Sequence, residues 1–227
     1  MESSIKAVLF DLDDTLYDEG TFVASGFRTV AAFLADKFWI HSEEAFSTMM
    51  AVLAAEGRGK VFDRLLEGYG LYDPQLIAQL VGLYRTHLPQ ISLYPDAQPT
   101  FQALRQYGAK LGIITDGLHA VQKRKMVGLG LRDLVDIIIY TDELGQEYWK
   151  PHPAAFLRAV AMLGIEPGEA VYVGNDPVKD FAGPNSIGMP TVHLCRDGIP
   201  EESDCKANAH ITILTEIMEL IIGREKR

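Results

Sequence analysis

A chain of 227 residues can hold one large domain, or a core with a smaller insertion. Its 48% apolar content is that of an ordinary globular protein, and a formal net charge of −10 excludes the broad basic face that non-specific nucleic-acid binding needs. No apolar stretch approaches the roughly 20 residues of a membrane span, and the apolar run starting at Ile5 is short and ends in acids, unlike a signal pattern, so a cytoplasmic protein without a membrane partner is expected.

The first element is the apolar run Ile5-Lys6-Ala7-Val8-Leu9-Phe10, a strand of the kind buried on both faces. Asp11, Asp13 and Asp14 follow it with no turn residue between. Carboxylates crowded at the end of a buried strand repel one another and lose hydration unless a cation or several donors hold them. A solvated acidic loop is the blander reading.

Residues 18–90 then read as four helices. Phe27, Val30, Ala31, Leu34 and Phe38 make one apolar face, Ser42 is expected to cap a second helix, and Val61, Phe62, Leu65, Leu66 and Tyr69 mark a third. Asp73-Pro74 opens the fourth. From Leu93 the pattern alternates. Helices are predicted near 96–107, 120–129, 153–163, 178–187 and 214–222, and strands at 110–115, 137–140, 170–173 and 191–194. This alternation predicts an α/β fold, a doubly wound parallel sheet of Rossmann-like type. The expected domains are a core of residues 1–17 and 91–227, and a helical insertion of 18–90. The Arg/Lys tail past Ile222 is expected to fray.

In an open parallel sheet, ligands bind outside the carboxyl ends of the strands. The first strand ends in Asp11 and Asp13, the second in Thr115-Asp116-Gly117. The third leads to Lys150-Pro151, and the fourth to Gly174-Asn175-Asp176 with Asp180 four residues on. Each alone has an ordinary explanation: Thr115 as a turn residue, Lys150 as a solvated cation, Asp176 as a helix cap. Their convergence on one rim argues for a site.

This ordered set resembles the haloacid dehalogenase-like (HAD) hydrolase superfamily over nearly the whole chain. The helical insertion after the first motif is similar to the small cap of its phosphoglycolate phosphatase-like and acylneuraminate-phosphatase-like branch. The resemblance implies a magnesium-dependent (Mg2+) phosphatase of small phosphorylated metabolites working through an aspartyl-phosphate. Asp11 would be the nucleophile, and Asp13 the acid that protonates the leaving alcohol and then the base for water. Lys150 would neutralise charge, while Thr115 with the Asp116-Gly117 turn would bind phosphoryl oxygen. Magnesium would sit among Asp11, Asp13 and Asp176, with Asp180 behind or Asn175 as the alternative ligand. The fourth motif departs from the common form, in which an acid directly follows the glycine.

Two alternatives belong beside this reading. A 2-haloacid dehalogenase would share the fold, but relatives of that kind lack the second aspartate. A phosphoacceptor or ligand-binding module with little turnover would keep the site and hold its phosphoryl group. Arg58, Lys60 and Arg64 in the insertion, and His119, Gln122 and Lys123 after Gly117, read as solvated positions, with contact to the substrate as the alternative. Cys195 and Cys205 lack metal-ligand spacing and read as thiols, their pairing left open. The oligomeric state is also open.

Overall fold

The computed structural model describes residues 4–198 and 205–225. Six strands form one sheet: β1 (Ala7–Phe10), β2 (Lys110–Thr115), β3 (Ile137–Tyr140), β4 (Ala170–Gly174), β5 (Thr191–Leu194) and β6 (Ala209–Ile211). Their order is β3-β2-β1-β4-β5-β6, and every pair is parallel. All four residues of β1 are fully buried, which is why its sequence is apolar without alternation. Because β2 and β4 flank β1, the winding direction reverses beside it. A crevice opens there at the carboxyl ends, where Asp11 stands.

The chain divides into two compact units, Met1–Asp18 with Ser92–Arg227, and Glu19–Ile91. In the α/β unit, α5 (Ala97–Tyr107), α6 (His119–Gly128), α7 (Ala154–Leu163), α8 (Ala182–Ser186) and α9 (Ile217–Glu225) connect or follow the strands. Gly108 ends α5 at φ 94°, a left-handed cap that a side chain would strain. On one sheet face, Leu9, Ile114, Phe156 and Tyr172 pack into a single apolar cluster. At the carboxyl edge, Arg196 lies 3.7 Å from the Tyr94 ring centroid, forks onto Asp96 at 3.0 and 3.1 Å and donates to the Thr15 carbonyl.

The second unit comprises α1 (Glu19–Phe38), α2 (Ser42–Glu56), α3 (Val61–Gly68) and α4 (Pro74–Thr86). Phe27, Val30, Ala31 and Leu34 of α1 meet Met49, Leu65, Leu66 and Leu80 in a separate core. Each fully buried side chain of this size contributes about 1.5–3 kcal/mol before conformational entropy is charged against it. Asp73 caps α4 by accepting from Gln75 N at 2.9 Å, with Pro74 at the first helical position.

Four local expectations change. Ser42 is the first residue of α2 and not its cap; His41 holds that position without a side-chain bond. The helix expected over 178–187 shrinks to Ala182–Ser186, because Asp176 and Asp180 draw the preceding turn into the crevice. Residues 214–216 form a 3-10 turn before α9 starts at Ile217. The strand β6 was not predicted: three residues carry too little periodicity to stand out. In the tail expected to fray, residues 226–227 lie outside the described residues. No helix among the described residues is long and apolar enough to cross a membrane.

Candidate active site

The site is built on the carboxyl end of β1. Asp11 N bonds to the Val173 carbonyl of β4 at 2.9 Å, so the first carboxylate is held by the sheet itself. Asp14 then takes φ 57°, turning the chain sharply after Asp13. Leu16 N returns to the Leu12 carbonyl, and Asp11 and Asp13 face the crevice while Leu12 and Leu16 are buried.

Lys150 lies at the centre of the charge balance. The residue is 8% exposed, and its ammonium reaches Asp11 Oδ1 at 2.5 Å, Asp180 Oδ1 at 2.8 Å and the Tyr172 hydroxyl at 3.0 Å. Three N–H donors therefore have three acceptors. Asp180, fully buried, also accepts a hydrogen bond from the Tyr172 hydroxyl at 3.0 Å and one from Asp176 N on its other oxygen. Asp180 thus braces the lysine. A Cβ at Gly174 would stand 2.3 Å from Asp180 Oδ2, so only glycine leaves room for that carboxylate.

Burial pushes Asp11 up to about 7, against the pull of Lys150, and the charges of Asp180 and Asp13 push the same way. Burial works against the Lys150 ammonium too, but Asp11 and Asp180 hold it well above the ordinary lysine value. One cation is shared by two buried carboxylates, and the pocket is short of positive charge.

Asp13 has a different environment. Its Oδ1 accepts from Lys125 Nζ at 2.7 Å and the Tyr17 hydroxyl at 2.5 Å, and its Oδ2 from Gln122 Nε2 at 2.9 Å. Gln122 Nε2 also donates to Thr115 Oγ1 at 2.5 Å, linking the ends of β1 and β2. Gln122 is therefore buried in the crevice and not at a solvated helix start. Lys125, 3% exposed, was missed altogether. A signal existed: Gln122, Lys125, Met126 and Leu129 fall on one helical stripe, so two polar residues occupy the buried face of α6.

The remaining residues lie at neighbouring strand ends. The Asp116 carboxylate accepts Thr141 Oγ1 at 2.7 Å and Lys150 N at 3.2 Å, tying the end of β2 to the end of β3 and to the loop beyond it. Gly117 turns the chain at φ 114°. Asn175 Oδ1 accepts Thr15 Oγ1 at 3.1 Å, and the same hydroxyl is 3.4 Å from Asp11 Oδ2. Asp176 Oδ1 instead takes Val178 N and Lys179 N at 2.9 and 3.3 Å within its own turn. In the helical unit, Arg58 pairs with Glu19, while Arg64 reaches Glu56 and Glu67, all on exposed sides. His119 Nε2 is 3.4 Å from a Glu143 carboxylate oxygen.

Asp11 and Asn175 both turn a side-chain oxygen toward the Thr15 hydroxyl. Oxygen donors and a deficit of positive charge fit a hard divalent cation such as magnesium.

A model of the haloacid dehalogenase-like hydrolases matches residues 5–188. The chain belongs to that family. It is a hydrolase of the phosphatase branch with a helical cap. A glyceraldehyde 3-phosphate phosphatase of Methanopyrus kandleri is 34% identical, covering 96% of this chain and 97% of its own. Its namesake in Methanocaldococcus jannaschii is 33% identical over 98% and 99% of the two chains. A solved HAD phosphatase of Thermococcus onnurineus is 31% identical with a TM-score of 0.65, covering 96% and 98%.

Proposed function

We propose that this phosphatase hydrolyses small sugar phosphates of the glyceraldehyde 3-phosphate class, uses magnesium, and works through a phosphoryl group carried on Asp11. The observation that carries the reading is the pairing of two carboxylates with two lysines. Asp11 is held by Lys150 and, two residues on, Asp13 is held by Lys125, Tyr17 and Gln122. The names of the M. kandleri and M. jannaschii relatives support the substrate class.

In this mechanism Asp11 attacks phosphorus and displaces the sugar alkoxide. Lys150 offsets the charge gathering on the transferring oxygens from a fixed position, so little reorganisation is needed during the reaction. Asp13 gives a proton to the leaving oxygen and takes one from the water that later attacks the phosphoenzyme. Lys125, Tyr17 and Gln122 hold Asp13 in the orientation for both transfers. Thr115 and the amides of the Asp116-Gly117 turn bind a phosphoryl oxygen. Magnesium would be held by Asp11, the Asp13 carbonyl and, in preference to Asp176, Asn175, whose oxygen faces the same hydroxyl as Asp11. When bound it would neutralise phosphoryl oxygens as a Lewis acid. Asp180 and Asp116 keep Lys150 in place from behind.

The test is phosphate release from a panel of phosphorylated sugars, glycerol phosphates and phosphoamino acids, with magnesium and with chelator. Turnover of a triose phosphate that stops in chelator and in Asp11→Asn is expected. Full activity in either condition would overturn the mechanism. Preference for a non-sugar phosphate would overturn the substrate class alone.

A further inference from the structure

Beside the phosphoryl crevice, β6 and the end of β5 carry a second group of ligating side chains. The parallel register sets His193 beside His210, and Cys195, directly after β5 and two residues from His193, continues the pairing through its N–H to the Ile211 carbonyl, so all three belong to one face. One ligand atom from each, two imidazole nitrogens and Cys195 Sγ, lie within 4.8 Å of one another. Cys195 Sγ is 3.8 Å from His210 Nδ1. His193 and Cys195 are 6% and 5% exposed.

His193 supplies the observation that points to a ligand. Its Nε2 lies 3.0 Å from the Asn175 carbonyl oxygen, which can only accept, so Nε2 carries the proton. The lone pair is then on Nδ1, which is buried and has no hydrogen-bond partner among the described residues. A buried acceptor without a partner is costly. An imidazole with one N–H fixed by a backbone carbonyl and its other nitrogen unpartnered, in a residue grouped with a thiol and a second imidazole, has the tautomer and the free lone pair of a metal-ligating histidine.

We propose that His193, Cys195 and His210 form a binding site for a soft divalent cation of the zinc class, distinct from the oxygen site at Asp11. Nitrogen and sulfur donors select such ions over magnesium. Bonds of about 2.0–2.3 Å in a tetrahedron bring donors to about 3.3–3.8 Å from one another, so the side chains draw in by roughly 1 Å on binding. His193 and Cys195 also line a cavity of about 380 Å3. Bound by the three side chains, the ion would tie the edge strand β6 to β5. It would also fix the imidazole that holds the Asn175 backbone at the rim of the phosphoryl crevice.

Cobalt(II) is the probe, because a cobalt–thiolate bond gives a near-ultraviolet charge-transfer band that oxygen ligands do not. The full-length, reduced, metal-free protein is titrated in excess magnesium. The Cys205→Ser variant is titrated in parallel, since Cys195 is then the only thiol of the two in the sequence. The expected result is a band saturating at one equivalent in both proteins and bleached by one equivalent of zinc. It should be lost in Cys195→Ser and at least tenfold weaker in affinity in His210→Ala. Circular dichroism and magnesium-supported phosphatase activity of these two variants should match the parent, showing that the loss is not unfolding. No band in the parent, or a band that survives Cys195→Ser, would overturn the proposal.

Discussion

Lys125 Nζ lies 2.7 Å from Asp13 Oδ1, an ion pair in which the lysine side chain is almost wholly buried. It gives the second carboxylate its own cation, separate from the one that Asp11 shares with Asp180. If the pair serves to orient Asp13, Lys125→Met lowers kcat by about 10²-fold with little change in KM. Asp13→Asn alone lowers it by about 10²–10⁴-fold. In the double variant the losses should not multiply, because both act on one proton transfer. Steady-state kinetics of the four proteins decides; multiplying losses would mean that Lys125 acts elsewhere.

Gly174→Ala tests the brace behind Lys150. The added Cβ would stand 2.3 Å from Asp180 Oδ2 and 2.8 Å from its Cβ, in a fully buried place. The carboxylate must move, and overpacking of this kind costs about 1–3 kcal/mol. Denaturant unfolding should show that loss together with a fall in kcat, since Asp180 no longer holds the lysine. A stable, fully active variant would remove Asp180 from the account.

The convergence of strand ends was legible in the sequence because Asp11, Asp116 and Asn175 directly follow apolar strands, and Lys150 is marked in its loop by the prolines after it. Asp11 after Phe10 and Lys150 before Pro151 needed no structure to be noticed. Lys125 drew no notice in the sequence and Gln122 stood only as an alternative substrate contact, since a polar group on a helix is normally turned to water. The packing of α6 against the crevice reverses that expectation, and the stripe the two residues share with Met126 and Leu129 is its one trace in the sequence. The pairing of His193 with His210 was equally hidden, because it depends on β6, a strand of three residues. Spacing along the chain had argued against ligation by Cys195; register across two strands argues for it.

Asp11 also predicts a pH dependence. Its carboxyl is raised from the ordinary 3.8 to about 7 in the metal-free protein, chiefly by burial. A raised carboxyl contributes stability that is complete below about 3.8 and lost as pH rises through about 7. The metal-free protein should therefore lose stability across that window. Magnesium, which binds the ionised form, must displace the proton at lower pH. Its affinity should fall by about tenfold per unit below pH 7 and level off above it. Calorimetric titration in two buffers of different ionisation enthalpy would reveal the released proton. An affinity independent of pH between about 5.5 and 8 would contradict the assignment.

The helical unit offers a prediction independent of catalysis. Asp73 accepts the Gln75 amide at the start of α4. Asp73→Ala should cost about 1 kcal/mol of stability. Thermal unfolding would report it, and kcat should hold, since no proposed catalytic group touches this cap.

The central claim is that Asp11 carries the phosphoryl group, and the most direct measurement is intact-protein and peptide mass spectrometry of Asp13→Asn after an aryl phosphate and magnesium are added. An aryl leaving group needs no proton, so Asp11 can be phosphorylated, while the missing base slows hydrolysis. The account predicts a gain of one phosphoryl group on the peptide containing Asp11, and no gain in Asp11→Asn. A phosphoryl group on another residue, or undiminished turnover in Asp11→Asn, would contradict it.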